Sequence, residues 1–361
     1  MVSKPQVPDT FRKIAVWNTA FLGDAVLTLP LIRALKTAFP EAQIHFYVRK
    51  GYHDLFCAHP DLAAVHEVDK SGALRKWSAF WRFGKDCAAM EFDLWISPHK
   101  SLRSALMAVL AKAPVRIGYD APFYNPLAYT HTVPRQFAKL HEIERILQLL
   151  KPLGLDLPTR PWPVPALPDA ARKAAADFWE TLPPGPVLGI HPGSIWPTKR
   201  WLTEYFADIA VRALWLERTV LIFAGPGEED TADDVMLHVA SILGEGEEVM
   251  PPGAKIINLA GELSLAELAA YFQRLACLVC NDSGPMHLAW TQGVPVTAVF
   301  GPTVRSLGFF PRGEESHVVE LDLPCRPCGL HGHKTCPLGH HHCMAWIRPD
   351  QVWESVKPTL V

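Results

Sequence analysis

The chain opens on a short apolar run, Lys13–Trp17, followed by a turn, Asn18–Asp24, and then by apolar residues at helical spacing from Ala25 to about Phe39. Pro40 stops that helix and Gln43–Val48 resumes as a second apolar run, so this stretch predicts a βαβ unit and with it a parallel sheet. Ala64–Val68 and Phe92–Ser97 read as further strands, and Ser101–Lys112 and His141–Leu150 as helices. Between Asp156 and Pro168 lie five prolines, a density that suits neither a helix interior nor a central strand, and the interdomain linker is placed there. After a helix at about Asp169–Thr181 the alternation restarts, with strands at Val187–His191, Thr219–Phe223, Ile256–Leu259, Leu278–Cys280 and Val296–Phe300. The expected fold is α/β, two Rossmann-like doubly wound domains facing a cleft, over residues 1–165 and 166–361, with room for the final helix to pack back on the first domain.

Length agrees with this division, because 361 residues exceed the roughly 250–300 at which a single core stops growing. The formal net charge of −2 gives no global basic field to attract nucleic acid, so any anion site is local. The polar N-terminus, Met1–Thr10, has no apolar stretch of the kind that directs secretion, and no uncharged apolar run reaches the ~18 residues of a membrane span. A cytoplasmic protein is expected, its eight cysteines reduced or bound to metal rather than forming a disulfide scaffold.

Open parallel sheets bind ligands outside the carboxyl ends of their strands, and three loops in such positions carry chemistry. In the first, Asn18–Asp24, the Asp24 carboxylate suits a general base that takes the proton of an attacking hydroxyl, a role typically contributing ~10²- to 10⁴-fold in rate; it equally suits a helix cap. The second, His191–Trp201, combines Gly193, hydroxyls at Ser194 and Thr198, and the cations Lys199 and Arg200, a set that suits a diphosphate whose negative charge grows as a sugar departs. A solvated basic turn would have the same composition. The third, Asn281–His287, reads as a helix N-terminus in which Asp282 or Ser283 caps, Pro285 sits in the first turn and free amides offer an anion site. Ala224–Glu228 and Gly301–Thr303 are candidates to frame a nucleotide.

These residues resemble the ADP-heptose lipopolysaccharide heptosyltransferases of glycosyltransferase family 9, from about Lys13 to Val356. The resemblance rests on the Gly23-Asp24 turn, HPGSIWPTKRW from His191, NDSGPMH from Asn281, and Phe300-Gly301-Pro302-Thr303. It implies the two-domain GT-B arrangement, with the acceptor held by the first domain and the nucleotide sugar by the second, and inverting transfer without a metal. It further implies Asp24 as catalytic base, Lys199 as the diphosphate cation, and Asp282, Ser283, Gly284 and His287 as donor-site residues beside Gly193, Ser194, Thr198 and Arg200. Ser97–Arg103, Arg116–Tyr119 and His141-Glu142 are more similar to the second heptosyltransferase of the inner core than to the first. The implied partners are ADP-heptose and a lipid A-core acceptor met at the inner face of the cytoplasmic membrane. Lys100, Arg103 and Arg116 are the acceptor-binding candidates and, with Lys112, flank a possible docking helix that equally reads as ordinary packing.

Cys325-x2-Cys328-x7-Cys336-x6-Cys343, with histidines interleaved, has the opening spacing of a zinc site but later spacings that match no common finger. A structural zinc on these four thiols is one expectation; packed reduced thiols or a redox-labile site are others. Alternative functions are a GT-B enzyme using another nucleotide sugar, a sugar-nucleotide epimerase, or a binding protein stabilised by the Cys/His segment. A dehydrogenase is disfavoured because the first strand is not followed by Gly-x-Gly-x-x-Gly, and no Gly-x-Ser-x-Gly nucleophile elbow is present.

Overall fold

The computed structural model describes residues 7–137, 139–159, 162–244 and 250–361; Met1–Gln6, and Arg160 and Pro161 of the expected linker, lie outside them. The chain forms two compact units, Met1–Pro168 and Asp169–Val361.

In the first unit β1 (Lys13–Trp17), β2 (Gln43–Arg49), β3 (Ala64–Val68), β4 (Leu94–Ile96), β5 (Val115–Tyr119) and β6 (His131–Val133) form one sheet in the order β3-β2-β1-β4-β5-β6. Every pairing is parallel, from Ile14 opposite Ile44 on one side of β1 to Ile14 opposite Leu94 on the other. The strand order reverses between β1 and β4, and loops leaving the carboxyl ends of those two strands flank the switch point. The expected helix from Ala25 to Phe39 divides into Leu22–Val26 and Leu29–Ala38. Its break is local chemistry: the Thr28 hydroxyl donates to the Asp24 carbonyl at 2.8 Å, and Pro30 supplies no amide to continue the ladder. Beneath the sheet, Trp17 packs against Trp95 with ring centroids 5.5 Å apart and against Tyr47 at 5.4 Å.

The second unit repeats the plan. β7 (Val187–His191), β8 (Thr219–Ile222), β9 (Lys255–Asn258), β10 (Cys277–Asn281), β11 (Val296–Phe300) and β12 (His317–Glu320) run parallel in the order β12-β11-β10-β7-β8-β9, with the switch point between β7 and β10. Both strands are fully buried, which is why they read as unbroken apolar runs. The final helix, Pro349–Leu360, buries Val352, Val356 and Leu360 in the core of this second unit, where the sequence had left room for packing on the first. Among the described residues no helix is long and apolar enough to cross a membrane.

Candidate active site

In the first unit the loop after β1 is held by Asn18, whose buried amide donates to the Asp24 carbonyl at 3.0 Å and to the Thr28 hydroxyl at 2.8 Å. Asp24 sits in the first turn of the short helix Leu22–Val26, and its carboxylate reaches back to accept the Phe21 amide at 3.2 Å, so it does cap that helix. The cap does not exhaust its chemistry. Burial, followed by repulsion from Glu142, raises its carboxyl to about 7, against the opposing pull of Arg135 and the Phe21 amide. Asp24 is thus poised to gain or lose a proton at neutral pH.

Glu142 is itself buried between Arg135, at 2.6 Å, and Arg145, at 2.9 Å. This trio was invisible as a set in the sequence, because Arg135 lies in an irregular segment and no spacing rule links it to the loop after β1. Around the same edge, burial and the Arg49 and Arg103 charges lower Lys70 to about 8, and its ammonium donates to the Thr19 carbonyl. His99 lies 3.1 Å from the Ser104 hydroxyl, and burial with nearby Lys70, Arg135 and Lys100 depresses it to about 3, leaving it neutral.

The cations expected to bind the acceptor have different surroundings. Lys100 stands over the Phe137 ring at 5.9 Å. Arg103 donates to the carbonyls of Lys70 and Leu74 and stacks over Phe80, while Arg116 donates to the carbonyls of Ala113 at 2.7 Å and Ala128 at 2.8 Å. These two guanidiniums tie segments of the first unit together.

In the second unit the loops after β7 and β10 meet beside the switch point. Asn281, at the end of β10, donates to the Pro192 carbonyl at 2.7 Å and accepts the Trp201 amide at 2.9 Å, pinning both ends of the loop between them. Inside that loop the Lys199 ammonium lies 2.5 Å from the Asp282 carboxylate, which also accepts the Thr303 hydroxyl at 2.6 Å. Burial disfavours the Asp282 charge, but Lys199, Thr303 and His287 outweigh it and hold the carboxyl below its ordinary value. His287 is buried, accepts the Trp290 indole at 3.2 Å and is depressed to about 4, so its ring is neutral.

Gly193 lies against the Glu228 carboxylate, which would have to shift to admit a Cβ there. Glu228, from the segment after β8, also lies 4.0 Å from Arg200, whose guanidinium donates to the Ser194 carbonyl at 2.8 Å. Ser283 precedes the helix Gly284–Thr291, and among the described residues its buried hydroxyl has no hydrogen-bond partner. Thr198 is occupied by the segment around His333 and His341 and stands as a support of Lys199. Asn281 and Thr303 lie in stretches singled out in the sequence, but their contacts with Pro192, Trp201 and Asp282 emerge only in the fold.

The expected zinc has no ligand set: among the described residues no three His, Cys, Asp or Glu side chains converge to hold a metal. The four thiols lie near enough to one another that, after burial, Cys325 and Cys336 help raise Cys328, and all three of the others help raise Cys343. Cys328 donates to the Cys325 carbonyl at 3.3 Å, the backbone amides of Leu338 to His341 surround Cys336, and Cys343 is buried in the core of the second unit.

The sequence profile of glycosyltransferase family 9 (heptosyltransferase) matches residues 80–342. Lipooligosaccharide heptosyltransferase 2 of Campylobacter jejuni is 27% identical over 349 residues, covering 96% of this chain and 98% of that protein. A glycosyl transferase family 9 structure from Veillonella parvula superposes with a TM-score of 0.84 at 24% identity over 99% of both chains. The ADP-heptose lps heptosyltransferase II of E. coli gives a TM-score of 0.75 at 21% identity, covering 96% of this chain and 98% of that one. The two doubly wound sheets are accordingly those of the GT-B glycosyltransferases. With most of its length inside the family profile, this chain belongs to glycosyltransferase family 9, the heptosyltransferase family.

Proposed function

We propose that this glycosyltransferase moves a heptose from ADP-heptose to the inner core of lipopolysaccharide, inverting the anomeric centre and using no metal. The observation that carries the reading is the Asp24 carboxyl, held near neutrality at the switch point of the first sheet. Its relatives named heptosyltransferase 2 support the sugar and the acceptor class.

In the proposed step the acceptor hydroxyl attacks the anomeric carbon from the face opposite the diphosphate, and Asp24 takes the hydroxyl proton. The new carbon–oxygen bond forms as the bond to the β-phosphate oxygen breaks, and that oxygen leaves with the electron pair as part of ADP. Lys199 supplies the positive charge that favours departure, which is how transfer proceeds without a divalent ion. Gly193, Ser194, Arg200, Ser283, Gly284 and the first amides of the helix Gly284–Thr291 are assigned to the diphosphate, and Asp282 and His287 to the donor sugar. The first unit binds the acceptor, with Lys100 and Lys70 facing its anionic groups and Arg103 and Arg116 supporting the surface they stand on. Contact with the inner face of the cytoplasmic membrane follows from the lipid-linked acceptor, as does a cytoplasmic location.

The test is transfer with purified enzyme, ADP-heptose and a core acceptor lacking the heptose, with the anomeric configuration of the product read by NMR. Turnover that persists in EDTA, together with an inverted linkage, is expected. A product of retained configuration, stimulation by added metal, or a larger thermal shift with UDP than with ADP would reject the corresponding part of the reading.

A further inference from the structure

The segment that carries the cysteines also grips the loop after β7. Residues 325–341 form no helix or strand, being broken by Pro327, Pro337 and three glycines, Gly329, Gly332 and Gly339. They nevertheless reach Thr198 at two points, once through backbone and once through an imidazole. The His333 amide donates to the Thr198 hydroxyl at 2.7 Å, and that hydroxyl lies 2.9 Å from the His333 carbonyl, which also accepts the Thr198 amide at 3.3 Å. Further along, His341 Nε2 is 2.8 Å from the Thr198 carbonyl. A carbonyl only accepts, so the ring must carry its proton on Nε2. The amide, the carbonyl and the hydroxyl of the residue immediately before Lys199 are therefore all taken by this one segment.

Two further features show that the contact is built. His341 holds φ at 52°, a left-handed conformation that a non-glycine residue adopts at a cost, and it does so where its ring meets Thr198. Gly332 lies so close to the loop that a Cβ on it would stand 2.6 Å from Trp196 Cβ and 3.0 Å from both Lys199 Cγ and Thr198 Oγ1. Alanine at this position would push directly on the Lys199 side chain.

We propose that the Cys/His segment is a clamp that positions Lys199 for the donor diphosphate, with His341 and Gly332 as positioning residues. The inference rests on the assignment of Lys199 to the diphosphate. It gives the segment a role that needs neither a metal nor a disulfide.

The test measures the ADP dissociation constant by calorimetry, kcat and acceptor KM for transfer, and the melting temperature, for wild type, His341→Phe, His341→Gln and Gly332→Ala. Phe fills the ring volume without a donor, whereas Gln restores an N–H at similar reach; both must adopt the same backbone as His341. His341→Phe and Gly332→Ala are expected to weaken ADP binding about 3- to 10-fold, the range for one lost hydrogen bond, and to lower kcat. Acceptor KM should stay unchanged and His341→Gln should recover most of the ADP affinity. Wild-type ADP affinity in both His341→Phe and Gly332→Ala overturns the clamp, as does a His341→Gln variant that falls as far as His341→Phe. Should His341→Phe melt below the assay temperature, Gly332→Ala decides the question alone. A wild-type protein that binds ADP but transfers no heptose rejects the proposed function, and the ADP measurements still decide the clamp; one that binds no ADP overturns both.

Discussion

The Lys199 ammonium and the Asp282 carboxylate lie 2.5 Å apart inside the second unit, both buried, with the Thr303 hydroxyl donating a second hydrogen bond to the carboxylate. A buried pair of this kind adds little over an apolar one, but removing a single partner strands a charge and costs about 3–5 kcal/mol. Because Asp282 is held below its ordinary value, its stabilising contribution is present above the unfolded-state pKa of 3.8 and is lost as pH falls through the lower folded-state value. Asp282→Asn should therefore lower the unfolding free energy by about 3–5 kcal/mol at neutral pH, with the gap from wild type closing as the solution is acidified below about 4. Denaturant titrations across that range measure it, and a gap independent of pH would contradict the assignment.

Asp24 titrates in the opposite sense. In the proposed role of base it works only when deprotonated, so kcat/KM is expected to rise with pH through a midpoint about 7. Asp24→Asn should lower kcat by ~10²- to 10⁴-fold while leaving ADP binding intact. A folded-state value raised from 3.8 to about 7 also means that stability declines across that window as the buried carboxyl is forced to ionise. Asp24→Asn should thus melt higher than wild type at pH 8, a gain in stability at the expense of activity.

The Glu142 charge is one of the two causes that raise Asp24, and Arg135 opposes it. Glu142→Gln is expected to move the midpoint of the rate profile to lower pH, and Arg135→Met to move it higher. A shared shift in one direction, measured on protein whose melting shows it to be folded, would detach both residues from the base.

Asn281 pins the loop after β7 at Pro192 and Trp201. Asn281→Ala leaves the buried Trp201 amide without its acceptor and should cost about 1–3 kcal/mol of stability. Loss of ADP affinity should accompany it, read by calorimetry, because the loop bearing Lys199 is then released at its ends.

The alternation of apolar runs made nine of the twelve strands of the described residues legible, since strands buried on both faces leave continuous apolar sequence. The three that were missed carry weaker signals: β5 is interrupted by Arg116 and Gly118, β6 is only three residues long, and β12 lies at a sheet edge with half-buried residues. The loops that bear Asp24, Lys199 and Asp282 stood out because they follow such runs. Arg135, Glu142, Asn281 and Thr303 act through distances across the sheet or between loops, and no local pattern in the chain announces a contact with a residue 80 positions away, as between Asn281 and Trp201. The Cys/His segment was conspicuous for its residue types, but nothing in its spacing announced that its backbone and one imidazole meet Thr198.

The anchor that shapes the loop after β7 sits on the central strand β10 and not in the loop itself. Residues 193–200 are thereby tethered on three sides, by Asn281 at their ends, by Asp282 at Lys199 and by His333 and His341 at Thr198. Any re-engineering of this stretch must therefore carry its neighbours on β10 and in residues 325–341 along with it.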